Sequence, residues 1–457
     1  MAYAEKRGRT WRVRYQLPNG KYDSQSGFDT KQDALDWGRA QETDVQRKVF
    51  VNPSDGRKRF GDWVDEWRQV VNVAELSSQT YASRINSVIL PRWQDTPIGD
   101  ITSMSYRAWQ AQLRKAYKKN YVDGIEGVMR MLLDDAVEER LVPFNPMPTG
   151  SRRRRGRHVP VEADDGYVWP TPRQARLVAE NARQLRGFQW YVMILTVAYT
   201  GLRMGEVAGL RRDQVRLLAV EHGKSIRVQW QGQWLTEPAT HTVSKGDTLE
   251  SIAALRLADA KRAADIGEAN DLGPTDRLRA GQRLLLPKGF TLLPPKYSSY
   301  RTLIIPPFLG ELLGELLAEN RHEYLVFPSQ RGRPLRVDDQ FYGRFWHPAI
   351  DGQEEEPSRR GRRAQPALPA VEGITDMVPH GLRHGHKVWL DEQGHARVAV
   401  EERMGHKLKG VEGTYSHTSP EMELGIVKGL QRAWETSQGE QPEAGPDWRK
   451  WRQAQAS

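Results

Sequence analysis

Arg203 and Arg383 are the residues of this chain best suited to gripping an anionic group. A guanidinium is permanently charged and forks onto two oxygens at once. Two of them converging could hold both non-bridging oxygens of a phosphodiester at its trigonal-bipyramidal transition state. That is preorganised electrostatic stabilisation, usually the largest catalytic term. Arg203 lies in Thr200-Gly201-Leu202-Arg203-Met204-Gly205-Glu206, and Arg383 in His380-Gly381-Leu382-Arg383-His384. Lys296 follows Pro294-Pro295, His406 closes Met404-Gly405-His406, and Tyr415 lies in Thr414-Tyr415-Ser416-His417. Lysine, histidine and tyrosine bring proton donors, acceptors and an oxygen nucleophile, so the set suits phosphodiester chemistry without a metal. Glu206, three residues after Arg203, is expected on the same helix face, where it would orient the site by hydrogen bonding. Taken singly, each motif carries little information, and a surface arginine or a core histidine would explain it as well; the conjunction carries the reading. His384, His386 and His417 lie close enough in sequence to be mistaken for the two histidines of the set. His380 and His384 at i, i+4 spacing would also suit a metal, but no His-Glu-x-x-His motif accompanies them, and no metal site is expected.

The elements that must position these residues read as mainly helical with small β-sheets, an α+β fold. Trp11, Val13 and Tyr15 alternate with Arg12 and Arg14, the period of a half-buried strand. Pro18-Asn19-Gly20 is a turn, Lys21 to Phe28 a returning strand, and Thr30 an N-cap for a helix to about Lys48. Phe60, Trp63, Val64 and Trp67 fall on one helical stripe. Leu90-Pro91-Arg92-Trp93 is expected to break the next helix, and two more cover about 105–118 and 124–139. Residues 151–157, Ser-Arg-Arg-Arg-Arg-Gly-Arg, are a block of like charge that will not pack in a core. Beyond it come a helix from about Pro172 to Arg186, an apolar one from Phe188 to Ala198, and one opened by Thr200 to Glu206. A strand is expected at Ile226 to Trp230, and Arg301 to Ile305 is expected to pair with the stretch around Thr291 to Leu293. Helices resume at Leu309 and fill much of residues 380–435.

Composition narrows the classes. A length of 457 residues suggests two to four domains. The formal net charge is +10 and the sequence pI about 9.6, which fits a polyanionic partner. With no cysteine, disulfides, thiolate metal sites and a cysteine nucleophile are excluded. Mean hydropathy is −0.70, and no apolar run is long enough to span a bilayer. No secretory h-region follows Met1, so the expectation is a cytoplasmic protein with no membrane association and no cofactor. The chain has 15 tyrosines, so Tyr415 means little without its context.

In order and context, these motifs resemble the tyrosine recombinases, specifically the phage-type integrases, over roughly residues 10–430. The resemblance implies Arg203, Lys296, His380, Arg383, His406 and Tyr415 as the catalytic set, with Glu206 in support. Tyr415 would be the nucleophile; its phenol titrates near 10 unperturbed and needs help to lose its proton. His380 would accept that proton, His406 would hydrogen-bond the phosphate or the nucleophile, and Lys296 would protonate the leaving 5′ oxygen. The product would be a 3′-phosphotyrosyl bond and a free 5′ hydroxyl, with neither ATP nor metal required. The implied organisation is an arm-type DNA-binding domain at 1–50, a helical core-binding domain at 57–146, a basic linker at 147–168, a catalytic domain at 169–435 and a tail at 436–457. Arg12 and Arg14, and Arg152, Arg153, Arg154 and Arg155 of the linker, would contact DNA. Implied partners are double-stranded attachment sites, a homotetramer on DNA, and possible excision and DNA-bending factors. A plasmid or transposon resolvase, a type IB topoisomerase-like enzyme and a DNA- or cell-wall-binding protein on an inactive recombinase frame are the competing readings.

Two stretches depart from that pattern. Residues 241–287 run from His241-Thr242-Val243-Ser244-Lys245-Gly246-Asp247-Thr248-Leu249 to Leu278-Arg279-Ala280-Gly281-Gln282-Arg283-Leu284 and resemble a LysM module, a β-α-α-β unit that usually binds N-acetylglucosamine polymers. Asp247 and Thr248 would cap its first helix. Lying between sheet strands, it is read as a structural, DNA-contacting or protein-contacting insert rather than a glycan binder. A second insertion, about Asp351 to Glu372, mixes acidic, basic and proline residues and is expected to be a mobile loop.

Overall fold

The computed structural model describes residues 2–439 except 19, 48–49, 53, 72, 74, 149–167, 219–222, 275, 320, 359–363 and 407–417. The chain divides into two compact units, Met1–His158 and Val159–Ser457.

The first unit begins with an antiparallel sheet of strands β1 (Tyr3–Arg7), β2 (Thr10–Gln16) and β3 (Tyr22–Phe28). Alternation along β2 buries Val13 and Tyr15 and turns Arg12 and Arg14 to the other face. The helix Lys31–Gln46 opens at Thr30, whose hydroxyl accepts the Asp33 N–H at 3.1 Å. A helical bundle follows, with Phe60, Trp63, Val64 and Trp67 buried. Their apolar stripe is tied down at its polar edges: the Trp63 indole donates to the Leu132 carbonyl at 3.0 Å, and that of Trp67 to Asp135 at 2.6 Å. The expected break at Leu90–Trp93 does not occur. The helix Glu75–Arg84 continues through a π turn, Ile85–Ile89, into Leu90–Trp93. The widened turn accommodates Pro91, which lacks an N–H and crowds the carbonyl one turn back.

The second unit is built around the helix Phe188–Thr200, buried on all sides apart from Phe188. Helices Pro172–Arg186, Pro307–Ala318 and His380–Glu392 pack on it. A helix hydrophobic all round can only be a core element. Beside it lies a small sheet of β4 (Val215–Arg216), β5 (Ser225–Val228) and β10 (Arg301–Ile304), in the order β10-β5-β4.

Between β5 and β10 the chain leaves on a two-stranded stalk, β6 (Gln231–Leu235) against β9 (Gly289–Leu293). The expected pairing of Arg301–Ile305 with Thr291–Leu293 is therefore wrong: Arg301–Ile304 pairs with Ser225–Val228. Pro294 and Pro295 offer no N–H to a ladder and separate the two strands. The stalk carries β7 (Ala239–Thr242), helices Leu249–Arg256 and Ala263–Ala269, and β8 (Arg283–Leu286), which pairs with β7. Leu249, Ile252, Leu257, Ile266 and Leu284 give this insert a core of its own. Thr248 caps its first helix in a reciprocal box with Ser251, while Asp247 accepts the Ser244 N–H at 2.8 Å and so shapes the preceding turn. The insert is also fastened to its host. Arg211 donates to the Ala254 carbonyl and Arg256 to the Leu292 carbonyl, both at 2.8 Å, and Ala258 packs with Phe290 and Leu325.

The described parts of the stretch Asp351–Glu372, on either side of residues 359–363, are paired rather than mobile. Gln353 and Leu368 exchange backbone hydrogen bonds at 2.9 and 3.1 Å, and Glu356 and Gln365 do so at 2.9 and 3.0 Å. These reciprocal pairs use backbone groups that a free loop would leave to water.

Candidate active site

The helix Phe188–Thr200 stops at Gly201, which adopts φ 66°, a conformation that disfavours any residue with a Cβ. Space excludes one as well, since a Cβ there would lie 2.8 Å from the His386 ring and 2.9 Å from the Met404 sulfur. The tight turn delivers Arg203 to the N-cap of the next helix, which begins at Met204 rather than before Arg203. The Glu206 carboxylate accepts the Arg203 N–H and its guanidinium, both at 2.9 Å. The same carboxylate takes two bonds from Arg301, at 2.9 and 3.1 Å. Glu206 is 1% exposed and Arg301 5%, whereas Arg203 is 19% exposed and keeps donors available on its open side. Burial alone would raise the Glu206 pKa, but Arg301 and Arg203 outweigh it and hold the carboxyl below its usual range.

Arg383, 2% exposed, donates to the carbonyls of Gly201 and Met404 and lies 3.0 Å from His406 Nε2. It thus joins the turn before Arg203 to the turn before His406. Burial and the neighbouring Arg203 push its pKa down to about 9, which leaves the guanidinium charged at neutral pH. Gly405, at φ 67°, makes the second turn, and a Cβ there would meet Arg301 at 2.9 Å. His406 Nδ1 lies 2.6 Å from Glu401, which also pairs with Lys387 at 3.1 Å. The carboxylate fixes the proton on Nδ1 and leaves Nε2 facing Arg383. Burial lowers the His406 pKa, Glu401 opposes this and Arg383 reinforces it, with a net fall below the ordinary value.

His380 opens the helix His380–Glu392, its ring edge-on to His384 at 4.7 Å between centroids. Burial, then the positive charges of His384, Arg383, Arg203 and His406, push its pKa down to about 4. The residue is exposed at the helix start, so solvent screens part of these effects, but the direction leaves it neutral and able to accept a proton. Lys296 lies in a short 3-10 turn, Lys296–Ser298, exposed, with its ammonium 4.9 Å from the Tyr297 ring centre. Its loop meets the site through Ser299, whose hydroxyl is 3.4 Å from the Arg203 guanidinium.

The structure therefore brings Arg203, Glu206, Arg383, His380 and His406 together and sets the Lys296 loop beside them. Tyr415, His417 and Arg152, Arg153, Arg154 and Arg155 lie outside the described residues. Arg12 and Arg14 belong to the N-terminal unit, where Arg12 pairs with Glu5 across the sheet and Arg14 lies 5.9 Å from the Tyr3 ring centre. Sequence reasoning missed Arg301 and Glu401. An arginine opening a strand after Lys296, and a glutamate one helical turn before Gly405-His406, were the signals available. His386 is a core residue, 0% exposed, bonded to the Ala198 carbonyl at 2.9 Å. Among the described residues, no cluster of three or more histidines and carboxylates is arranged to hold a metal, and no helix is long and apolar enough to cross a membrane.

Comparison with known proteins finds matches both to the insert and to most of the chain. The LysM domain family matches residues 241–287. The integrase of Mycobacterium phage D29 is 24% identical over 217 residues, 46% of this chain and 53% of that protein, so the match spans about half of the relative. The protein assigned as the prophage phiRv2 integrase of Mycobacterium tuberculosis H37Rv is 22% identical over 426 residues, 90% of this chain and 89% of its own. Among solved structures, the Tn1549 transposon integrase in complex with a circular intermediate DNA superposes with a TM-score of 0.51 at 15% identity, covering 87% of this chain and 99% of that one, which shows a shared fold. The chain is thus similar in sequence to phage and prophage integrases, shares the fold of a transposon integrase, and matches the LysM domain family within its larger unit.

Proposed function

We propose that this chain is a site-specific integrase that cuts and rejoins DNA through a 3′-phosphotyrosyl intermediate, joining a phage or integrative element to a chromosome. The observation that carries this reading is the pair Arg203 and Arg383, held by Glu206 and by the carbonyls of Gly201 and Met404. Two fixed guanidinium groups cost no reorganisation when charge develops on the phosphate.

In the reaction, Arg203 and Arg383 grip the non-bridging oxygens, and His406, with its proton held on Nδ1 by Glu401, offers Nε2 as an acceptor to the nucleophile's O–H. The Tyr415 oxygen attacks phosphorus and its proton passes to neutral His380. The 5′ oxygen leaves and takes a proton from Lys296. One phosphodiester is exchanged for another, so neither ATP nor a metal is needed. A 5′ hydroxyl from a second duplex reverses the step, and four protomers exchange strands in pairs through a Holliday junction. Residues 1–50, with Arg12 and Arg14, bind arm-type sites, 57–146 clamp the core site, and Arg152–Arg155 of the 147–168 linker neutralise phosphates. Residues 169–435 perform the chemistry in the cytoplasm, with an excision factor and a DNA-bending protein as further partners.

The test is recombination between two plasmids bearing DNA that flanks the gene, in EDTA and without nucleotide. Recombinant product with the wild type and none with Tyr415→Phe supports the reading. Relaxation of a plasmid lacking any attachment site would turn it toward a topoisomerase.

A further inference from the structure

Arg403 is a buried cation outside the proposed chemistry, and its side chain is 0% exposed. Its Nε donates to His386 Nε2 at 3.2 Å, and one terminal nitrogen donates to the Ile304 carbonyl at 3.0 Å and to Glu423 at 2.9 Å. The other terminal nitrogen reaches the Tyr199 carbonyl at 3.4 Å. These four partners sit on four elements: the helix Phe188–Thr200, strand β10, the helix His380–Glu392 and the C-terminal helix Pro420–Ser437. The first leads into Arg203, the second begins with Arg301 and the third contains Arg383. The backbone beside Arg403 also belongs to the site, since its own carbonyl accepts from Arg301 at 2.9 Å and that of Met404 from Arg383.

The fourth partner, Glu423, lies in the first turn of the C-terminal helix, which Ser419 caps. Tyr415 lies four positions before Ser419, so covalent geometry alone confines it to about 14 Å from Ser419. From His406, nine residues away on the other side, the limit is about 30 Å. Anchoring the start of the C-terminal helix is therefore the tighter constraint on where that tyrosine can reach. Stability does not explain the pair, because a buried ion pair is commonly matched or bettered by apolar residues of similar volume. What an apolar pair lacks is a planar fork that fixes several acceptors in one orientation.

Resting on the recombinase reading above, we propose that the Arg403–Glu423 ion pair is a positioning element for strand cleavage. It registers the C-terminal helix, and with it the reach of Tyr415, against the elements that hold Arg203, Arg301 and Arg383. Neither residue touches the phosphate.

The test measures covalent-adduct formation on nicked attachment-site duplex at saturating DNA, together with DNA affinity and thermal stability, in the full chain. Glu423→Gln is expected to slow adduct formation by about 10²-fold, the scale of a small misplacement of a reacting group, with DNA affinity unchanged. The volume-matched double variant Arg403→Met/Glu423→Leu is expected to recover the wild-type melting temperature and remain slow. Recovery of the wild-type rate along with the melting temperature would overturn the proposal and make the pair purely structural. If the double variant does not fold, Glu423→Gln decides at a temperature where circular dichroism shows it folded, and an unchanged rate overturns the proposal. Absence of adduct with the wild-type protein counts against the recombinase chemistry itself, a separate result.

Discussion

The inserted LysM domain and the arginine site are built by opposite means. The insert closes on itself: β7 pairs with β8, and its core comes from residues within the insert and the stalk strands that bear it. The site draws Arg203, Arg301, Arg383 and His406 from separate helices, turns and a strand, and joins them through Glu206, Glu401 and two backbone carbonyls. A local unit tolerates change one contact at a time. A site made of shared acceptors does not, because Glu206 serves Arg203 and Arg301 together and Glu401 serves His406 and Lys387.

That contrast can be broken most severely at Arg301. Arg301→Leu leaves Glu206 enclosed with Arg203 as its only remaining cation among the described residues. Losing one partner of a buried pair is expected to cost about 3–5 kcal/mol, read by urea unfolding. A loss below about 1 kcal/mol would mean that the site is no more interlocked than the insert. Next comes Arg203→Ala, which removes a more exposed donor and is expected to slow adduct formation by about 10²–10³-fold with little change in melting temperature. A rate within about threefold of wild type, or about 0.6 kcal/mol, would remove Arg203 from the chemistry.

A smaller effect concerns pH. Burial and the adjacent Arg403 hold the His386 pKa well below the ordinary value. Between that value and about 6.5 the unfolded chain binds the extra proton, so stability rises with pH and is lost on acidification. The loss from this residue approaches about 1.4 kcal/mol per pH unit below pH 6. His386→Gln should flatten the melting temperature between pH 7 and pH 5, and an unaltered slope would show that His386 does not titrate with unfolding. Smallest of all, Thr248→Ala removes the cap of the insert's first helix and should cost about 1 kcal/mol. Adduct formation should be unchanged, and a slower rate would show that the insert feeds into the site.

The same contrast governs what could be read from the sequence. Thr30, Thr248 and the Phe60–Trp67 stripe announced their helices because capping and periodicity are local. The turns at Gly201 and Gly405 that bring Arg203 and His406 inward were not read, and Thr200 to Glu206 was taken as the start of a helix. Pairing was harder. Arg301–Ile304 was matched to the nearest apolar stretch, because nothing local says that the insert's stalk claims Gly289–Leu293 and returns β10 to β5. Pro91 was taken as a helix breaker because a π turn depends on the packing of Ile85 and Ile89. Arg301 and Glu401 were missed because their significance lies in partners far away or in a turn, and no spacing rule links Glu206 to Arg301.

Mass mapping of the protein–DNA adduct tests the central claim most directly. Wild-type protein would be trapped in EDTA on a nicked attachment-site duplex, digested with nuclease and trypsin, and its nucleotide-bearing peptide sequenced. The tryptic peptide that follows Lys409 and ends at Lys428 contains one tyrosine, Tyr415. The expected result is a 3′-linked nucleotide on that residue, lost in Arg203→Ala and Arg383→Ala. A nucleotide on any other side chain, or linkage through a 5′ phosphate, would contradict the assignment of Tyr415 and of the arginine pair that is held to face it.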